Sequence, residues 1–298
     1  MRASCVLMTF LLGIGASQLA LGQPSSGDEF FRKANEAFVE GRYETAIELY
    51  RQALTKQPDR KEAWYNLGVS HGQIRQYDKE IESYRKALEL DGTYARAHYN
   101  LALALEDQGK SEEALVEYEL ALKHEPEALD VLINRGILLS RMGRLDDALE
   151  SYGRAVALDP NVPEVYYNIG VVYSRKADLA KDADEKVSWL KKEVESYQTA
   201  LEKRSTFYRA WYNLALAYFK LGDNENEILA YEKAITLRRS YPEALYNLAY
   251  AYEEKGDLPK AVEAWKAYIE IAEKFESEKE YVDVARREIK RLEQLKQQ

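Results

Sequence analysis

Six asparagines are the side chains of this sequence whose type and spacing could do chemistry: Asn66, Asn100, Asn134, Asn168, Asn213 and Asn247. They stand 34, 34, 34, 45 and 34 residues apart. A primary amide offers one acceptor and two donors, so a regular row of them could match the C=O and N–H groups of an extended backbone without reading its side chains. That is binding chemistry. Catalytic chemistry has no comparable set. His71, His98 and His124 lack the spacing of metal ligands. The single cysteine, Cys5, lies in an apolar N-terminal stretch. No glycine-rich phosphate loop or zinc-protease signature occurs, and the Asp and Glu residues fall on what read as solvated helix faces. Neither a catalytic residue nor a metal or cofactor is expected.

The elements that must position the amides follow from the same period. Each Asn sits inside a recurring segment: AWYNLG at 63–68, AHYNLA at 97–102, VLINRG at 131–136, VYYNIG at 165–170, AWYNLA at 210–215 and ALYNLA at 244–249. Self-similarity at a fixed period marks a stacked repeat architecture in which neighbouring units share one core. Within the unit 61–94, Trp64, Leu67, Gly68 and His71, then Ile81, Tyr84, Ala87 and Leu88, follow the i, i+3, i+4, i+7 spacing of two amphipathic helices. Gly41, Gly109, Gly143, Gly222 and Gly256 recur between the two helices, where a left-handed residue ends a helix. Pro58, Pro126 and Pro160 close their units.

Small residues recur where helices must approach: Gly68, Ala102, Gly136, Gly170, Ala215 and Ala249 in the first helix, and Ala53, Ala87, Ala121, Ala155, Ala200 and Ala234 in the second. Tyr50, Tyr84, Tyr118, Tyr152, Tyr197, Tyr231 and Trp265 form an aromatic row that reads as core rather than as a cofactor box.

On these residues the chain resembles the tetratricopeptide repeat family. Trp64-x-x-Leu67-Gly68-x-x-His71 with Tyr84 and Ala87, and Trp211-x-x-Leu214-Ala215-x-x-Tyr218, carry the likeness, which covers about Gly27 to Ala272. The resemblance implies an all-α, right-handed superhelical solenoid of helix-turn-helix units whose inner face binds peptides or proteins. The expected organisation is a signal peptide at 1–22, a linker at 23–26, seven units (27–60, 61–94, 95–128, 129–162, 163–207, 208–241 and 242–276) and a capping helix at 277–298. In the cap, Tyr281, Ala285, Ile289, Leu292 and Leu295 should line one face. The fifth unit has 45 residues against 34 elsewhere. Eleven extra residues shared between two helices would lengthen each by roughly 8 Å and make a protruding hairpin that carries Trp189. Glu80, Glu193 and Glu227 replace a small Ala of the family pattern, and Arg135 replaces Leu or Ile, so local splaying or snorkelled side chains are expected there.

In the family's geometry the first helix of each unit lines the inner side. Three rows then face inward: Tyr65, Tyr99, Ile133, Tyr167, Tyr212 and Tyr246; the six asparagines; and Val69, Leu103, Ile137, Val171, Leu216 and Tyr250. The Asn row resembles the asparagine ladder of the O-linked N-acetylglucosamine transferase repeats. The alternative is that the amides bond neighbouring helices, and the two roles are compatible. The Tyr row offers rigid contact area with a polar tip. Arg141, Arg175, Arg209 and Lys220 make the middle of this face basic, while Glu243, Glu253 and Glu254 make its C-terminal end acidic. Asn35, Asn66 and Arg96 match part of the family's carboxylate clamp, but Phe31 and Asn100 stand where the clamp has basic residues.

Arg2, the apolar run that starts at Cys5–Leu12 and the Ala20-Leu21-Gly22 cleavage pattern read as a secretory signal peptide. The apolar core is shorter than the roughly 20 residues of a spanning helix. Cleavage after Gly22 would leave a chain without cysteine and without membrane insertion, placed in a periplasm or secreted. The chain is 46% hydrophobic and 31% charged, with a formal net charge of −9 that becomes −10 without Arg2. That balance argues against nucleic acid and anionic membranes as partners. The expected partner is a protein or peptide segment. An envelope polysaccharide or export role is the alternative, and self-association through the hairpin and the cap is a third possibility.

Overall fold

The computed structural model describes residues 25–295; the signal peptide expected at 1–22 lies outside them. They contain fifteen α-helices and one short 3-10 helix, and none of these helices is long and apolar enough to cross a membrane. Two compact units divide the chain after His124. The first holds α1 (Ser26–Val39), α2 (Tyr43–Lys56), α3 (Lys61–Gln73), α4 (Tyr77–Leu90), α5 (Ala95–Asp107) and α6 (Ser111–His124). The second holds α7 (Leu129–Arg141), α8 (Leu145–Leu158), α9 (Pro163–Leu179), α10 (Ala183–Lys203), α11 (Tyr208–Leu221), α12 (Asn224–Leu237), α13 (Pro242–Lys255), α14 (Leu258–Ala272), a 3-10 turn at Glu276–Glu278 and α15 (Lys279–Leu295). In both units helices pack in sequence order, each against the one before and the one after. This is the all-α arrangement of paired helices that the 34-residue period demands.

Small-to-large complementarity locks each pair. Tyr50, Tyr84, Tyr118, Tyr152, Tyr197, Tyr231 and Trp265 are all at most 2% exposed. Opposite them the first helix must be bare. A Cβ on Gly68, Gly136 or Gly170 would come within 2.7, 2.5 and 2.5 Å of the Tyr84, Tyr152 and Tyr197 rings respectively. Overpacking of this kind costs about 1–3 kcal/mol. Several first helices begin without a capping side chain. An aromatic on their first turn bonds the preceding loop instead: Trp64 Nε1 donates to Pro58 O at 2.9 Å, Trp211 Nε1 to Ser205 O at 2.8 Å and Tyr166 OH to Pro160 O at 3.2 Å.

The turns use the expected glycines. Gly41, Gly109, Gly143, Gly222 and Gly256 all have φ between 73 and 80°. In the second pair the same place is filled by Arg75, with φ 60°.

Three expectations are corrected. The eleven extra residues are shared unequally: α9 has 17 residues and α10 has 21, where most others have 13 or 14. Helix α10 therefore takes most of the extension, because α9 ends at the Ala180–Asp182 turn, where the Asp182 side chain caps α10 by accepting from Glu185 N at 2.8 Å. In α15 the buried residues are Val282, Ala285 and Leu292, while Tyr281 and Leu295 are 53% and 46% exposed. The buried stripe is thus turned by one residue at its start. Glu80, Glu193 and Glu227 do not snorkel to solvent; they are 3%, 2% and 3% exposed. Gly72 makes the room for the first of them, since a Cβ there would lie 2.6 Å from Glu80 Oε1.

Candidate functional site

The first helices carry the three rows, and the structure ties two of them together. The tyrosine rings fill the joints between successive pairs. Tyr65 packs between Tyr84 of its own pair (centroids 5.8 Å) and Tyr94 at the start of the next (5.2 Å). Tyr167 lies likewise between Tyr197 (5.7 Å) and Phe207 (4.9 Å), and Tyr212 between Tyr231 (5.8 Å) and Tyr241 (4.9 Å). Tyr246 meets Trp265 edge-on at 5.0 Å, and Tyr99 meets Tyr118 at 6.1 Å. Tyr65 is buried, and Tyr99, Tyr167, Tyr212 and Tyr246 are half-buried. Burial raises the Tyr65, Tyr167 and Tyr212 hydroxyls above the usual phenol value, so they stay protonated.

Each of those three hydroxyls accepts a bond from the asparagine of the following pair. Asn100 Nδ2 donates to Tyr65 OH at 2.6 Å, Asn213 Nδ2 to Tyr167 OH at 3.1 Å and Asn247 Nδ2 to Tyr212 OH at 3.3 Å. Asn213 also reaches Tyr197 OH at 3.4 Å. At the N-terminal end, Asn66 Nδ2 donates to Asn35 Oδ1 at 3.1 Å, which also accepts from Tyr50 OH at 2.5 Å. The amide row therefore joins helices, and it does so through Nδ2 while each Oδ1 of Asn66, Asn100, Asn213 and Asn247 accepts nothing from the protein among the described residues. Asn168 is different. The place that should supply its tyrosine holds Ile133, and the Asn168 amide makes no hydrogen bond among the described residues. Asn134 is half-buried at the same level of α7.

The third row, Val69, Leu103, Ile137, Val171, Leu216 and Tyr250, is half-buried except Tyr250, which is 38% exposed. The basic residues are mostly engaged within the protein. Arg175 donates to the Ser140 carbonyl. Lys220 bonds Asp178 Oδ1 at 2.9 Å and Ser174 Oγ at 3.2 Å. Arg141 is exposed at the end of α7. Arg209, at the start of α11, donates only to the Tyr208 hydroxyl among the described residues, at 3.2 Å. At the acidic end, Glu253 accepts from Trp265 Nε1 at 3.0 Å and from Arg291 of α15.

Under the Lys220 cluster lies a group for which the sequence led to an expectation of splaying or snorkelling, and which is buried instead. Burial pushes the Glu193 carboxyl up to about 7, against the pull of Lys220 and the Ser174 hydroxyl, and Asp178 adds to the rise. Its Oε2 has no hydrogen-bond partner. Glu227 is likewise raised to about 7, by burial first and by Glu254 second. The signal for both was a carboxylate at a place where the repeat elsewhere has Ala114, Ala148 and Ala261.

Comparison with known proteins agrees with this architecture. Models of the tetratricopeptide repeat match residues 31–95, 83–116 and 243–272, and a further TPR repeat model matches 141–176 and 217–256. The C-terminal part of a TPR repeat-containing protein from Cytophaga hutchinsonii superposes with a TM-score of 0.68 at 20% identity, over 83% of this chain and 97% of that one. A tetratricopeptide repeat protein from Parabacteroides merdae gives 0.62 at 16% identity, over 90% and 99%. YrrB, a TPR protein with an unusual peptide-binding site, gives 0.56 at 22% identity, over 67% and 98%. At these identities the likeness is one of fold. No curated protein matches the sequence. Together the matched segments span more than half of the chain, which belongs to the tetratricopeptide repeat family.

Proposed function

We propose that this protein is a non-catalytic interaction scaffold, exported through its N-terminal leader, that holds an extended protein segment along the first-helix face. The observation that carries the reading is the oriented amide row. Asn100, Asn213 and Asn247 are each fixed by a tyrosine hydroxyl, with the carbonyl oxygen left to accept from a ligand N–H. The half-buried aliphatic row beside them supplies apolar contact, and such contacts give affinity while the amides orient the backbone. The peptide-binding site of YrrB lends support from a protein of the same fold. The leader pattern of residues 1–22 supports a location outside the cytoplasm.

Asn168 gives the clean test, because its replacement breaks no internal bond. The purified wild-type protein, Asn168→Ala and Asn213→Ala are immobilised and exposed to cell-envelope extract, with cytosol of the same cells for comparison. Asn168→Ala should melt as wild type does yet retain less of a bound envelope protein. Asn213→Ala should also lose about 1–2 kcal/mol of stability with its two tyrosine bonds. Equal retention by wild type and Asn168→Ala would make the row purely structural, and retention from cytosol alone would overturn the location.

A further inference from the structure

Two adjacent helix pairs differ in one charge, and the difference leaves a pair of arginines without a counter-ion. In the pair α9/α10, Glu164 is the second residue of the first helix and Arg204 directly follows the last residue of the second. Arg204 Nη1 donates to Glu164 Oε1 at 2.6 Å, and its guanidinium lies 4.1 Å from the Phe207 ring centre. In the pair α11/α12 the same two places hold Arg209 and Arg238. Arg238 keeps the aromatic contacts, 5.2 Å from the Tyr208 ring centre and 5.0 Å from that of Tyr241. The carboxylate is gone. Arg209 Nε and Arg238 Nη1 instead converge on one neutral oxygen, the Tyr208 hydroxyl, at 3.2 Å each. Neither arginine forms an ion pair among the described residues. Their bonds hold the Tyr208 phenol below its usual value, Arg209 foremost.

We infer that Arg209 and Arg238 form a carboxylate subsite that takes an Asp or Glu side chain of the bound protein segment, in the place that Glu164 fills one pair earlier. The inference rests on the scaffold reading and adds the chemistry of one contact. A carboxylate presents two charged oxygens to the two guanidinium groups, where the Tyr208 phenol offers both arginines a single neutral one. The surroundings favour a single negative charge over a polyanion. Arg239 adds an exposed cation beside the pair. Glu243, at the second position of α13, is near enough to raise the Tyr212 and Tyr241 hydroxyls yet pairs with neither arginine. It repels a phosphate dianion more than a carboxylate, and the net charge of −9 repels a uniformly acidic chain. Tyr167 and Tyr241, which lie within the field of Arg209, connect the subsite to the tyrosine and amide rows.

The test uses a rhodamine-labelled peptide of Ala and Gln with one central Glu, its counterpart with Gln at that place, and inorganic phosphate as a competitor, read by anisotropy at low ionic strength. Wild type should bind the Glu peptide about tenfold or more tighter than the Gln peptide, and salt should erode the difference. Arg209→Glu rebuilds the internal pair with Arg238, so it should keep or raise the melting temperature and abolish the preference. The double variant R209Q/R238Q removes both positive charges by another route and should give the same loss. Equal Glu-peptide affinity in wild type and both variants would overturn the subsite, as would no Glu-peptide binding by wild type. Phosphate that binds more tightly than the Glu peptide would overturn the carboxylate assignment. If the Gln peptide still binds wild type and is weakened by Asn168→Ala, the scaffold reading stands although the subsite has failed.

Discussion

At the residue scale, one position departs from the pattern that the rest of the chain obeys. Of the seven turns within helix pairs, five place glycine in the left-handed region and one places Arg75 there at φ 60°. The hydrogen bonds are the same. Arg75 N reaches Gly72 O at 3.1 Å and Gln76 N reaches His71 O at 2.9 Å, just as Gly41 N reaches Phe38 O and Arg42 N reaches Ala37 O. An L side chain in this region clashes with its own carbonyl at a cost of about 1–2 kcal/mol, while glycine loses roughly 0.4–1 kcal/mol more in backbone entropy on folding. The Arg75 side chain is exposed and makes no ion pair among the described residues, so nothing else is lost. Arg75→Gly should therefore raise stability by about 0.5–1 kcal/mol, read as a higher urea midpoint with unchanged slope. A lower midpoint would mean that this turn gains from its arginine in a way the backbone does not show. Residue-scale features were unevenly legible in the sequence. The core tyrosines and turn glycines could be read because each repeats at 34 residues. The Asn-to-Tyr bonds could not, because Tyr65 and Asn66 are neighbours in sequence while the bond runs from Asn100 back to Tyr65. The Arg209–Arg238 meeting was visible in principle, by laying Glu164 above Arg209, but a net-charge reading of the face merges it with arginines and lysines that the protein already satisfies.

At the element scale, buried carboxylates make the stacking of the second unit sensitive to pH. Glu193 of α10 faces Ser174 and Asp178 of α9 and Lys220 of α11, with Tyr197 on its own helix. Its folded value of about 7 stands above the ordinary 4.5. A raised carboxyl binds its proton more tightly in the folded state, so its contribution is full below about pH 4.5 and is lost as pH rises through 7. Glu227 acts in the same window and the same direction. His98 adds to the trend: both ring nitrogens have acceptors, Glu117 Oε2 at 2.6 Å and Gly92 O at 3.0 Å, which hold it above the usual imidazole value against its burial. His71, buried and lowered, opposes it. The comparison of variant with wild type isolates the carboxyl. Between pH 5 and 8 wild type should lose on the order of 1–2 kcal/mol more stability than Glu193→Gln, whose amide mimics the protonated acid. Parallel stability–pH curves for the two proteins would show that Glu193 is ionised and solvated at neutral pH. Sequence reading singled out this group but expected splaying or snorkelling, because a lone carboxylate at a small-residue place looks like a solvent-seeking one until Ser174 and Lys220 are seen to close over it.

At the scale of the whole molecule, helices pack in chain order within each unit, so stability should behave as a sum of local terms along the sequence. The terminal helix is then a test of the whole arrangement. Helix α15 buries Val282, Ala285 and Leu292 against α14, and Arg291 reaches back to Glu253 of α13. Tyr268 OH donates to Glu278 at 3.0 Å just before α15 begins. Cutting the chain after Lys274 removes these contacts and bares part of the aromatic cluster around Trp265 and Tyr246, which Tyr281 now meets edge-on at 5.9 Å. Exposed apolar surface of this kind costs about 25 cal/mol per Å² and also invites association. Amide exchange should therefore accelerate most in α13 and α14, less in α11 and α12, and not measurably in α1 to α6, while light scattering detects aggregates. Uniform acceleration through every helix would replace the additive picture with a single cooperative core, and the one-residue rotation of the α15 stripe would then matter for the entire fold rather than for its last pair.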